Sequence, residues 1–183
     1  MKDRKTTVLC DLSQVQYWII AGMLVALGLV MPRVFHFAGP DAGKMFLPLF
    51  WSIGLGALVL PRKQTVVIAI LVPCFSNLLT GMPPLPLLYF MLIELIVYAL
   101  VIGIVRQYVH PAGAVLVGLL VSRLVYIGSV YIAAEWLHIP APFGGVTALW
   151  TGVFISMPGI CAQIILLPII RNIYYKICAN YYQ

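Results

Sequence analysis

Long apolar runs, each near the length of a membrane crossing and closed off by proline, glycine or charge, fill most of this chain. A lipid-crossing helix needs about 20 apolar residues. The runs predict spans at 15–34, 45–60, 64–80, 86–105, 112–134 and 146–170, six in all. With 183 residues, little is left for a soluble unit. The expected fold is a single integral membrane domain over 1–183, an all-α bundle of six transmembrane helices. Only 9% of the residues are charged, where a soluble domain carries roughly 25%. Most of the surface must therefore face something other than water. The second and third runs are short and carry Pro48 and Pro73, as helices that line cavities often do.

A net charge of +6 raises the question of a nucleic-acid partner. The basic residues, however, are scattered between the apolar runs, where they set orientation. With the N-terminus inside, Lys2, Arg4, Lys5, Arg62, Lys63, Arg106, Arg171 and Lys176 are cytoplasmic, which makes eight. Arg33 and Lys44 alone lie outside, and Arg123 falls within a span. Both termini are therefore expected in the cytoplasm, with the bilayer as partner and no nucleic acid. The basic start and the apolar stretch 15–31 imitate a signal peptide, but Pro32-Arg33-Val34-Phe35-His36 follows in place of a small-residue cleavage site. The stretch reads as a retained first helix. Cys10, Cys74, Cys161 and Cys178 form no Cys-x-x-Cys pair and match no zinc spacing.

The three outward loops are more elaborate than the two basic inward turns. The first runs from Phe35-His36 through Asp41 and Lys44. The second is Leu79-Thr80-Gly81-Met82-Pro83-Pro84-Leu85-Pro86. The third carries Trp136, His138 and Pro140-Ala141-Pro142-Phe143-Gly144-Gly145. Elaboration on one face marks where a ligand enters, because loops on a rigid scaffold carry binding.

Two charges, Glu94 and Arg123, lie inside predicted spans. Each costs several kcal/mol in lipid by insertion scales, so such a charge faces the bundle interior and has a partner. Glu94 shares a face with Phe90 and Tyr98; Arg123 shares one with Leu119, Tyr126 and Val130. Two roles stay open: an ion pair pinning the fourth helix to the fifth, or the polar floor of a cavity open to the outside. Asn77, Thr80, Tyr126, Trp150 and Thr151 lie around the two charges in the outer half, the mix of aromatic and polar groups that small-molecule pockets use. His36, in the first loop, is a further candidate substrate contact. His36 and His138 could also ligate a metal or haem, but each is isolated in sequence, and Asp41 with Lys44 reads as a local salt link. No nucleophile–base constellation, phosphate-cradling loop or paired intramembrane acid is present, so catalysis and ATP binding by this chain are not expected. In the first helix, Gly22-x-x-x-Ala26 forms a flat strip suited to close helix approach.

These features together resemble a substrate-binding S component of an energy-coupling factor (ECF) transporter, over nearly the whole chain. The most specific part is Leu78-Leu79-Thr80-Gly81-Met82-Pro83-Pro84-Leu85 running into Met91-x-x-Glu94-Leu95-x-x-Tyr98. Phe35-His36 through Gly43-Lys44-Met45-Phe46-Leu47-Pro48, Ser122-Arg123-Leu124-Val125-Tyr126 and Met157-Pro158-Gly159-Ile160 are also similar. The resemblance implies a multi-pass protein of a prokaryotic plasma membrane that captures a vitamin or related micronutrient near its outer face, under the first loop. It implies a membrane coupling subunit, docked on an Ala-x-x-x-Ala strip where Gly22 and Ala26 stand here. Two ATPase subunits would use the ATP, leaving this chain without a cofactor. The metal-transporting members carry a histidine after the initiator methionine; Lys2 stands there, so an organic substrate is implied and no metal. Glu94 suits a cationic or hydrogen-bond-donating ring and Arg123 a carboxylate, so the substrate stays open. The competing expectations are a ligand-free membrane scaffold, in which Glu94 and Arg123 merely pair, and a membrane enzyme acting on a lipid-like substrate.

Overall fold

A computed structural model describes residues 12–37, 39, 42–136 and 146–181, with the backbone alone at 36, 42, 44, 146–150 and 181. Helices follow in the order α1 (Gln14–Phe37), α2 (Ala42–Phe46), α3 (Pro48–Val59), α4 (Arg62–Thr80), α5 (Leu87–Val105), α6 (Pro111–Trp136), α7 (Val146–Ile155) and α8 (Met157–Tyr181). Local chemistry sets many of their ends. A reciprocal Ser13–Gln16 capping box opens α1, with Ser13 N–H donating to Gln16 Oε1 and Gln16 N–H to Ser13 Oγ. Pro48 and Pro111 open α3 and α6, where a missing N–H costs nothing. Gly81 closes α4 at φ 69, a conformation that glycine adopts without strain, and its N–H reaches Asn77 O at 2.7 Å.

Five of the described helices, α1, α4, α5, α6 and α8, are long and apolar enough to cross a membrane. The chain is thus an α-helical, multi-pass membrane protein. The expected second span, 45–60, is instead a five-residue α2 followed by the twelve-residue α3. Twelve residues rise about 18 Å, well short of a hydrocarbon core of about 30 Å. Neighbouring helices bury nearly every residue of α3, so its backbone need not reach both faces.

The last expected span, 146–170, is also different. It divides at Ser156 into α7 and α8, and α8 runs on past Arg171 and Lys176. Pro158 has no N–H to bond Phe154 O and sits in the first turn of α8, where proline is tolerated. Charge alone, at Arg171 and Lys176, does not end a helix.

Helix α5 lies at the centre, against α3, α4 and α6. Its buried face presents Glu94, Tyr98, Ile102 and Arg106 at spacing four. Gly118 lets α6 approach: a Cβ there would come within 2.6 Å of Ile102 Cγ1. The core is built from Phe50, Ile53, Leu58, Ile68, Val72, Leu95, Ile102, Leu119 and Leu167. Only 17% of the apolar window of α1 is buried, against 44% for α5, which marks α1 as a peripheral helix.

Candidate ligand-binding cavity

The two intramembrane charges meet. Glu94 stands two turns into α5 and Arg123 midway along α6, and Arg123 Nη1 lies 3.2 Å from Glu94 Oε1. The Glu94 side chain is 2% exposed and that of Arg123 17%, so the carboxylate is sealed while the guanidinium keeps an open side. Two aromatic rings flank the guanidinium: its Cζ lies 5.6 Å from the centre of Phe50 and 6.0 Å from that of Tyr126. At such distances the ring faces attract the cation.

The open side of this pair looks into a cavity of about 460 Å³. Leu47 and Phe50 form one wall, Leu87 and Met91 another, and Ile127 and Tyr126 a third. Thr151, Gly152, Val153 and Ile155 of α7 close the remaining side. The size falls in the usual range for small-molecule sites, as does a mostly apolar lining around a few polar groups. Two polar atoms at the floor are incompletely satisfied. Glu94 Oε1 has its charge met by Arg123 but no aligned hydrogen bond, and Arg123 Nε has no hydrogen-bond partner. The cavity meets the pair on its guanidinium side, where a ligand acceptor can approach Arg123.

The wall from α2 is firmly tied. Phe46 stacks on Phe35 with ring centres 5.0 Å apart, and Trp51 Nε1–H donates to Phe46 O at 2.8 Å. Gly159 of α8 lies against the α2 backbone so closely that a Cβ would overlap Met45 O and Phe46. Gly43 and Leu47, on either side of this anchored segment, line the cavity.

Of the sequence-predicted residues, Glu94, Arg123, Tyr126 and Thr151 come together in this cavity. Asn77 and Thr80 are not among its lining residues. Asn77 Nδ2 donates to Pro83 O at 2.7 Å, and Thr80 Oγ1 donates to Ser76 O at 2.7 Å while accepting from Met82 N–H. Both brace the turn that delivers Leu87 to the cavity edge. The side chains of His36, Lys44 and Trp150 lie outside the described residues, as do Asp41, His138 and Cys10. Gly22 and Ala26 are exposed on α1, and a Cβ at Gly22 would meet nothing within 4 Å.

Sequence reasoning passed over Phe50 as a partner of Arg123, and over Gln163. The Gln163 amide is fully buried and accepts a hydrogen bond from Tyr98 OH at 3.2 Å, one turn of α5 below Glu94. A lone amide inside the apolar run of α8 was the available signal, since buried polar groups need partners. No family model, curated protein or solved structure matches this chain.

Proposed function

We propose that this chain is the substrate-capturing subunit of an ECF-type importer, a membrane protein that binds a small organic micronutrient. In this reading the cavity takes the micronutrient from outside, and partner subunits, one coupling protein and two ATPases, drive its release inward. The observation that carries it is the cavity itself: about 460 Å³, mostly apolar, floored by a buried ion pair with unsatisfied polar atoms. Its position supports the outward direction. The cavity lies at the helix ends that carry α2 and the 81–86 turn, whereas Arg62 and Arg106 sit at the opposite ends of α4 and α5. Basic residues favour the cytoplasmic side. The exposed strip at Gly22 and Ala26 supports docking of the coupling subunit along α1.

The deciding experiment is mass spectrometry of small molecules released by denaturing protein purified in mild detergent. A near-stoichiometric vitamin or precursor is expected. If none is released, and a vitamin panel produces no thermal stabilisation, the pair is a structural pin and the scaffold reading takes its place. Binding at a hundredfold excess over Kd should add about 2.7 kcal/mol.

A further inference from the structure

At the end of the bundle away from the cavity, arginines from three helices lie near one another with no carboxylate among the described residues beside them. Arg62 opens α4 and lays its stem across Gly103 of α5, donating from Nε to Gly103 O at 3.3 Å. Arg106 caps α5 one turn further on. It is only 9% exposed, and its Nη1 donates to Ala57 O at 2.7 Å. Arg171 of α8 stands over the Tyr175 ring at 4.6 Å and acts on Arg106 through space, as Arg62 does. Burial, together with repulsion from Arg171 and Arg62, pulls the Arg106 pKa below its ordinary value, while Tyr175 and Tyr17 oppose the shift. An arginine nevertheless keeps its proton, so the positive charge remains.

Two buried donors of this cluster, Arg106 Nε and Arg171 Nε, have no hydrogen-bond partner. The acids among the described residues are elsewhere: Glu94 is held by Arg123, and Glu135 lies in the last turn of α6, at the other end. Orientation by positive charge accounts for arginines at this end, but exposed ones would serve equally well. It does not account for a guanidinium folded inward with unmet donors, because burying an unpaired charge is costly.

We propose that this arginine cluster binds a phosphate-class oxyanion, supplied by the headgroup of an anionic membrane lipid. Guanidinium forks match phosphate oxygens and bind them in pairs. Arg62 and Arg106 stand at the ends of the α4 and α5 spans, the depth at which headgroups lie. Basic pockets between helices at that depth hold anionic headgroups. The site is separate from the cavity and does not depend on what the cavity binds.

The test is native mass spectrometry of the full chain taken from vesicles of mixed phosphatidylglycerol and phosphatidylcholine. Preferential retention of phosphatidylglycerol is expected, reduced about fivefold in each of R62Q, R106Q and R171Q. The exposed Lys63 and Lys176 provide controls, and K63Q and K176Q should retain the lipid as the parent does. If R106Q fails to fold, R62Q and R171Q decide alone. A second arm measures thermal stability in detergent with inorganic phosphate. Stabilisation of the parent but not of R171Q, without lipid preference, upholds the oxyanion site and assigns it to the free ion. Equal retention of both lipids with no effect of phosphate overturns the inference. So does a loss in the lysine variants as large as in the arginine ones, since that is diffuse surface charge.

Discussion

A guanidinium and a carboxylate 3.2 Å apart inside a bundle support each other only while both are present. Removing one partner of a buried pair leaves an uncompensated charge and costs about 3–5 kcal/mol. Arg123→Ala is therefore expected to lower unfolding stability in detergent by about that amount, reduced by the 17% exposure of the guanidinium. Replacing both charges, as in the double variant Glu94→Leu with Arg123→Met, should recover most of it, because an apolar pair of similar volume is often neutral. The double variant should still fail to retain ligand, and ligand bound as tightly as by the parent would exclude the pair from recognition. Phe50→Leu tests the aromatic side of the same site. It removes one ring face from the cation, and a loss of about 0.5–2 kcal/mol is expected in thermal unfolding, with its volume change contributing. Glu94 and Arg123 were legible from sequence because a charge in an apolar run is rare and demands an explanation. Phe50 was not, since an aromatic residue in such a run is ordinary and nothing in its spacing points to α6.

At the scale of elements, α1, α4, α5 and α6 were legible to within a turn, but the division of the other two apolar stretches into α2–α3 and α7–α8, and the faces of all the helices, were not. Apolar residues surround helices such as α3 and α5, because lipid outside is as apolar as protein inside. Periodicity therefore carries no direction, and only glycine contacts and polar atoms reveal who packs on whom. The α7–α8 break shows the same limit: Pro158 both starts one helix and ends another, and the apolar run continues straight through it. The short α3 was foreshadowed by Pro48, though its near-complete burial was not. Gly159 makes the consequence testable. A Cβ there would collide with backbone at Met45 and Phe46, which cannot swing aside as a side chain can. Gly159→Ala should push α2 off α8 and cost about 1–3 kcal/mol by overpacking. Because Gly43 and Leu47 line the cavity beside α2, ligand retention should fall with it, read as co-purified ligand per protein. Unchanged retention with lowered stability would separate the α2 wall from binding.

The whole molecule has two unlike ends and one unlike side. One end holds the cavity, the other the inward-folded arginines, and the peripheral α1 presents a largely unburied face to its surroundings. On that face Gly22 and Ala26 stand among exposed Ile19, Met23 and Val30. Small residues bring nothing to a helix facing lipid alone, where glycine costs about 1 kcal/mol against alanine. They do let a second helix approach closely. If the coupling subunit docks there, Gly22→Leu with Ala26→Leu should leave the isolated protein as stable as the parent or slightly more so, since a side chain at Gly22 meets nothing within 4 Å. Ligand retention should also be unchanged, because the strip is remote from the cavity lining. Uptake of the ligand by cells expressing the coupling and ATPase subunits should nevertheless be lost. Uptake at the parent rate would move docking to another face, and a fall in ligand retention would show that the strip acts within the fold rather than between proteins.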